Sequence, residues 1–324
     1  MMKVLTNDRG VALILVILMI SIIIAVTLQL NISSRSEIYE AANLGDGIRA
    51  AYAAKSGFYM GEALLAGDTN NLDSLNEDWA KLESVSAGSG TLFDGEYFRL
   101  NIEDESGRIL INSLVKENQY DAGIKKLLTR FLSLPEFNLD EQQVCDIVDA
   151  VKDWIDEDDE VTGFGAENIH YSGLEKPYAC KNAPLDCIEE LLMIRGITED
   201  LYYGAGETPG IAKYLTLHGK GKININTAPN LILKALSAEI TDEMVSDMDE
   251  FRRDEESNLS ESSWYTNVQG MDSIAITPSL ITTKSDIFRI TSTGYLNSIR
   301  RKVIGVIERH IDGGDVKILS WKVD

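Results

Sequence analysis

Hydrophobic and polar positions divide this chain into three zones. From Val11 to Leu30 the residues are apolar apart from Ser21, Thr27 and Gln29, and none is charged. At about 1.5 Å of rise per residue this run spans roughly 30 Å, the thickness of a bilayer's hydrocarbon core. Its Leu, Ile and Val side chains, at about −0.3 to −0.6 kcal/mol each, favour insertion by roughly 4 to 8 kcal/mol. The segment is predicted to be a membrane-spanning helix. Apolar positions then continue at helical spacing through Ile32, Tyr39, Ala42, Ala50, Ala53, Ala54, Phe58 and Leu64. One helix is therefore expected from Val11 to about Ala66, its upper half packed on a globular body, with Gly45 and Gly47 as points of bending or loosening.

The second zone reads as helices joined by loops, and the third as strands. Residues 67–95, rich in Asp, Asn, Ser and Gly, predict a helix fragment and loops, and Tyr97–Asp104 alternates as a strand does. Residues 286–295, 301–310 and 316–321 predict partner strands of the same antiparallel sheet. The intervening region would then be an insertion. It holds an internal echo: Gly107-Arg-Ile-Leu-Ile-Asn-Ser-Leu114 matches Gly221-Lys-Ile-Asn-Ile-Asn-Thr-Ala228. Each copy reads as a short β run ending in residues suited to cap a following helix, with Pro229 in the first turn of the second. Two such units suggest paired helical subdomains.

Composition narrows the chemistry. The chain has 52 acidic against 30 basic residues and a formal net charge of −22. Such a surface repels nucleic acid and anionic headgroups and attracts cations. Cys145, Cys180 and Cys187 allow one disulfide with a thiol left over, or three free thiols. His170, His218 and His310 are scattered, and no His-Glu-x-x-His, Gly-x-Ser-x-Gly or Walker A pattern is present. Leu191-Leu-Met-Ile-Arg-Gly-Ile-Thr198 is similar to the hairpin of a helix-hairpin-helix motif. Acids flank it on both sides, so it is read as a packing element rather than a nucleic-acid contact.

The densest candidate chemistry is acidic. Asp140 with Gln143 forms a capping-box pattern, followed by a stripe of Val144, Ile147, Val148, Val151 and Ile155. Asp146, Asp149 and Asp153 are expected on the opposite face. The helix runs into Asp156-Glu-Asp-Asp-Glu160, and Glu167 lies at the twelfth position counted from Asp156. The sixth position is Val161, where an EF-hand requires Gly, so the turn is not an EF-hand. On residue types alone it is either a solvated acidic loop or a site for a hard cation such as calcium, and a metal-dependent hydrolase is one alternative reading.

An ordered set of short motifs now resembles one family. Lys3 and Arg9 lie in a short polar leader ending in Gly10, directly before the apolar run, and this is similar to the leader of type IV pilins and pseudopilins. Leu15 stands at the fifth position after Gly10, where most pilins carry Glu. With these go Asp104-Glu-Ser-Gly-Arg-Ile109, Asp153-Trp-Ile-Asp-Glu-Asp158, Gly165-Ala-Glu167, Ile223–Ala228 and Ile290-Thr-Ser-Thr-Gly294. Together they resemble the K-type minor pseudopilins of bacterial type II secretion.

That resemblance implies an α+β fold: a long N-terminal membrane-spanning helix on a pilin-like antiparallel sheet domain, with a large inserted α-helical domain. The implied divisions are a leader at 1–10, the helix at 11–66 (membrane-spanning at 11–30), the first part of the sheet domain at 67–112, the insertion at 113–285 and the last strands at 286–324. It implies no enzymatic activity. It implies cleavage between Gly10 and Val11 by prepilin peptidase with N-methylation of Val11, which leaves 28 bases against 51 acids once Lys3, Asp8 and Arg9 are gone. It also implies structural calcium held by Asp153, Asp156, Asp158 and Glu167, with Asp159 and Glu160 as further candidates. The implied partners are other minor pseudopilins of a filament tip and the inner-membrane secretion platform. The implied location is the inner membrane, with the N-terminus cytoplasmic and the globular domain periplasmic.

Overall fold

The computed structural model describes residues 8–310 and 315–324. The leader residues 1–7, Lys3 among them, lie outside the described residues. A single helix, α1 (Asp8–Gly67), contains the whole apolar run and its continuation. Gly45 and Gly47 do not interrupt it. A Cβ at Gly47 would lie 3.3 Å from Arg301 Nη2, so this glycine admits the arginine against the helix. Residues 11–45 of α1 are exposed without exception. Ile32, Tyr39 and Ala42 therefore have no cover among the described residues, and packing starts higher on the helix than the midpoint expected from the sequence. The buried face starts at Gly47 and Ala50 and runs through Ala53, Ala54, Phe58 and Leu65.

That face lies on a four-stranded antiparallel sheet. β1 (Tyr97–Asp104) pairs with β2 (Ile287–Leu296), β2 with β3 (Ile299–His310), and β3 with β4 (Asp315–Val323), giving the order β1-β2-β3-β4. β1 alternates as the sequence predicts, burying Phe98, Leu100, Ile102 and Asp104. Tyr97 stands opposite Tyr295 and their rings stack. Helix and sheet approach closely because side chains are missing where they cross. A Cβ at Gly57 would fall 2.2 Å from Ser292 Oγ, and one at Gly294 would fall 2.0 Å from Ala50 O.

Between β1 and β2 the chain leaves the sheet and builds a separate core. It runs from Ile109 to Ile281 and contains Phe131, Trp154, Tyr171, Trp264 and Met271, whereas the α1–sheet core holds Phe58, Phe98, Phe288 and Ile307. The two sequence echoes enter this body as equivalent devices. Ile109–Leu110 pairs in parallel with Leu215–Thr216, and Ile223–Asn224 pairs in parallel with Ile281–Thr282. A Cβ at Gly107 would meet Thr227 Oγ1 at 3.1 Å, and one at Gly221 would meet Ser113 Oγ at 3.2 Å. The first residue of each copy thus rests on the seventh of the other, a reciprocal contact. Beyond the echoes the chain departs from the expected pattern. The first copy continues as a 3-10 turn, and its next long helix, α2 (Ala122–Leu132), is capped by Asp121 rather than by Asn112 or Ser113. In the second copy Pro229 is the N-cap of the helix and not its first turn.

Candidate metal centre

The centre is built at the end of α3 (Glu141–Ile155). This helix starts with the capping box read from the sequence: Gln143 N donates to Asp140 Oδ1 (2.8 Å) and Asp140 N to Gln143 Oε1 (2.9 Å). Val144, Ile147, Val148, Val151 and Ile155 are buried, as their spacing predicts. The opposite face is not left to solvent. The chain turns after Asp156 and returns over it, so that Asp153 is fully buried and Asp149 largely covered. Thr162 N donates to Asp153 Oδ1 (3.0 Å) and Phe164 N to Asp149 Oδ2 (3.1 Å). Tyr120 OH closes on the other oxygen of Asp149 at 2.5 Å. Gly165 is required where the returning chain crosses α3, since a Cβ there would lie 2.1 Å from Asp153 Oδ2.

The return brings in Glu167, which caps the short helix α4 (Asn168–Ser172) through Oε2 (3.3 Å from Asn168 N). Asp153, Asp156 and Glu167 are all buried, and each offers an oxygen within 4.8 Å of those of the others. Lys152 Nζ pairs with Asp156 Oδ2 and donates to Thr162 Oγ1 (2.8 Å). Three carboxylates against one ammonium leave two negative charges unbalanced. Asp156 Oδ1 and Glu167 Oε1 are buried without a hydrogen-bond partner. Burial is the largest cause that raises the pKa of Asp153 and of Asp156. Burial first, and then the charge of Asp153, pushes Glu167 up to about 7. Buried acceptors left unpaired cost about 1 to 3 kcal/mol each, so a divalent cation with a preference for oxygen fits this donor set.

The remaining sequence candidates lie around this group. Asp159 Oδ1 accepts from Asn168 Nδ2 (2.6 Å) and Asn182 Nδ2 (3.1 Å). Asp158 Oδ1 accepts from Glu160 N (2.9 Å) in a local turn, and Glu160 is exposed. Neither Asp158 nor Glu160 is among the three residues whose oxygens converge. Lys152, Asn168 and Asn182 escape a reading of the sequence. Asn182 takes a left-handed φ of 47°, bonds the carbonyl of Asp158 (2.7 Å) and keeps its own Oδ1 buried and unpaired. Only the left-handed tolerance of Asn could have pointed to it.

Two other sequence features resolve here. All three cysteines are free, and Cys180 alone is buried, with its thiol 3.5 Å from the carbonyl of Asp153. The hairpin at Leu191–Thr198 packs on α3, where a Cβ at Gly196 would fall 2.8 Å from Ile147. Its Arg195 bonds the carbonyls of Phe164 (3.3 Å) and Gly165 (3.1 Å), so it holds the returning loop.

The model of the family "Type II secretion system (T2SS), protein K" matches residues 107–205, which include the whole centre. Type II secretion system protein K of Pseudomonas aeruginosa is 29% identical over 240 residues, covering 71% of this chain and 68% of that protein. Over these spans the chain is similar to type II secretion system protein K. Protein K of Aeromonas hydrophila is 25% identical over 234 residues, covering 68% of this chain and 67% of its own length. Among solved structures, a chain of the GspK-GspI-GspJ complex from the enterotoxigenic Escherichia coli type 2 secretion system shares the fold, with a TM-score of 0.68 at 16% identity over 88% of this chain and 99% of that one. The shared fold is the α+β architecture described above, and none of these similarities supports the nucleic-acid-binding or hydrolase readings.

Proposed function

We propose that this chain is the minor pseudopilin that sits at the tip of a type II secretion pseudopilus, where it initiates or caps assembly. The observation that carries the reading is the division of α1. Its last third is buried on the sheet, while residues 11–45 are exposed throughout and include Ile32, Ile38, Tyr39 and Leu44 beyond the membrane-spanning run. Exposed apolar residues in water at helical spacing call for neighbouring helices. The solved GspK-GspI-GspJ complex supports two other minor pseudopilins as those neighbours. Leu15 removes the carboxylate that would pair with a subunit above, and the body inserted between β1 and β2 is bulky beside a slender stem. Both properties suit an end position.

Before assembly, α1 anchors the chain in the inner membrane with the body in the periplasm. Prepilin peptidase cuts between Gly10 and Val11 and methylates Val11, and the secretion platform then extracts the processed chain. Calcium, held by Asp153, Asp156 and Glu167, supplies the missing positive charge and fixes the returning loop. The role is architectural and not enzymatic. To test the end position, filaments are assembled from the full pseudopilin set with this chain labelled at the exposed Cys145 in a Cys187→Ser background. Label at one end of each filament is the expected result, and label spaced along the shaft would overturn the reading.

A further inference from the structure

Most of this chain repels anions, yet one cleft reverses the sign. It opens between the hairpin Val115–Tyr120, the start of α2 and the loop from Leu215–Thr216 to Ile223–Asn224, and has a volume of about 700 Å³. Lys116, Lys126, Lys220 and Lys222 line it, all exposed at the residue level. A contiguous cavity of about 300 Å³ shares Lys220 and Lys222 and adds Lys284. Gly219 and Gly221, at φ +154° and +76°, shape the Gly-Lys-Gly-Lys loop that brings two of these lysines to the rim.

Two acids line these cavities, and only Asp286 is paired with a lysine. Asp121 Oδ1 accepts from Gly123 N (2.9 Å) and Ile124 N (3.0 Å), and Asp286 pairs with Lys220. Among the described residues, Lys116, Lys126 and Lys222 have no carboxylate partner. Four lysines around the cleft, one of them paired with Asp286, and Lys284 at the adjoining cavity leave a local excess of positive charge in a chain of net charge −22.

We propose that this cleft docks an acidic, extended segment of a partner protein. Lysine acts as a point charge on a flexible stem, so several spread along a recess match successive carboxylates on a chain. A compact phosphate is better gripped by an Arg fork or by free helix amides, and the amides of Gly123 and Ile124 are already taken by Asp121. The negative surroundings then act as a filter. A partner that is acidic all over is repelled, and one whose acidic segment stands on a neutral or basic surface is admitted in one register. The cleft needs no tip position to act in this way.

The test uses the full chain in uncharged detergent and a fluorescent octaglutamate peptide at low ionic strength. Saturable binding is expected. It should weaken on the order of tenfold or more in Lys116→Glu/Lys222→Glu, and should fade as salt shortens the screening length. Lys176→Glu/Lys317→Glu, an equal charge change on exposed lysines outside the cleft, should leave it unchanged. Should the double reversal fail to fold, Lys116→Gln and Lys222→Gln, made singly, serve in its place. Absence of saturable binding, equal loss in the control variant, or displacement of the peptide by equimolar pyrophosphate would each overturn the proposal.

Discussion

Gly165 crosses helix α3 so closely above Asp153 that a Cβ at residue 165 would stand 2.1 Å from Asp153 Oδ2. The contact fixes the path of the loop that carries Glu167 back to the carboxylates. Gly165→Ala should therefore lift the loop and cost about 1 to 3 kcal/mol, the usual scale for overpacking a close contact. Thermal melts of the full chain, with calcium and with chelator, should show a lower Tm and a smaller difference between the two conditions. An unchanged difference would mean that the loop path does not govern the centre.

Calcium dependence itself is directly measurable. At a hundred times its dissociation constant, a ligand that binds only the folded state adds about 2.7 kcal/mol, or on the order of 5 °C in Tm for a chain of this size. That increment is expected for the native chain and should vanish in Glu167→Gln. In chelator the same variant should melt no lower than the native chain, because it removes a charge that nothing in the pocket balances.

The raised Glu167 sets a pH window for the calcium-free protein. Its carboxyl sits at about 7 in the folded state against 4.5 when free, so the folded state holds the proton more tightly. The resulting stability is fully present below about pH 4.5 and is lost as the pH rises through about 7. Bound calcium would act in the opposite sense, since it needs the carboxylate and would stabilise more as the pH rises. Melting curves in chelator and in calcium should diverge between about pH 5 and 8, and parallel curves would sink this assignment of the proton.

A second acidic group, Asp68, Asp73 and Glu77, also draws its oxygens together, but a cation of the chain already fills it. Arg309 on β3 bonds Asp68 Oδ2 (2.7 Å), Asp73 Oδ1 (2.5 Å) and Ser285 O (2.9 Å). Arg309→Ala leaves Asp73 buried without its counter-charge and should cost about 3 to 5 kcal/mol. Arg309→Met combined with Asp73→Leu should recover most of that loss. Urea titrations of the two variants provide the comparison, and equal losses would show that packing rather than charge dominates.

The sequence discloses local devices better than convergences. The capping box of Asp140 and Gln143, the alternation of β1 and the apolar stripe of α3 depend on neighbours within a few residues, and all three are found. Helical spacing puts Asp153 on a solvent face. Its burial comes from a chain that leaves at Asp156 and is back over the helix by Phe164, which no period reveals. Ile32 and Tyr39 show the opposite limit. Their spacing is helical, but no surface among the described residues covers them. The repeat at Gly107 and Gly221 is legible as a pattern, while its meaning, that each copy's glycine seats the other's hydroxyl residue, needs three dimensions.

The unclad stretch of α1 has a geometric consequence. The apolar run ends at Leu30 and the sheet first touches the helix near Gly47, an interval of roughly 25 Å of helix. The body therefore rides on a bare collar; allowing about 5 to 7 Å for the headgroup layer, the remaining roughly 18 to 20 Å is close to two Debye lengths at 0.1 M salt. At that stand-off a strongly acidic head and an anionic leaflet scarcely sense each other. The chain can thus carry its negative charge beside a bilayer without being pushed from it.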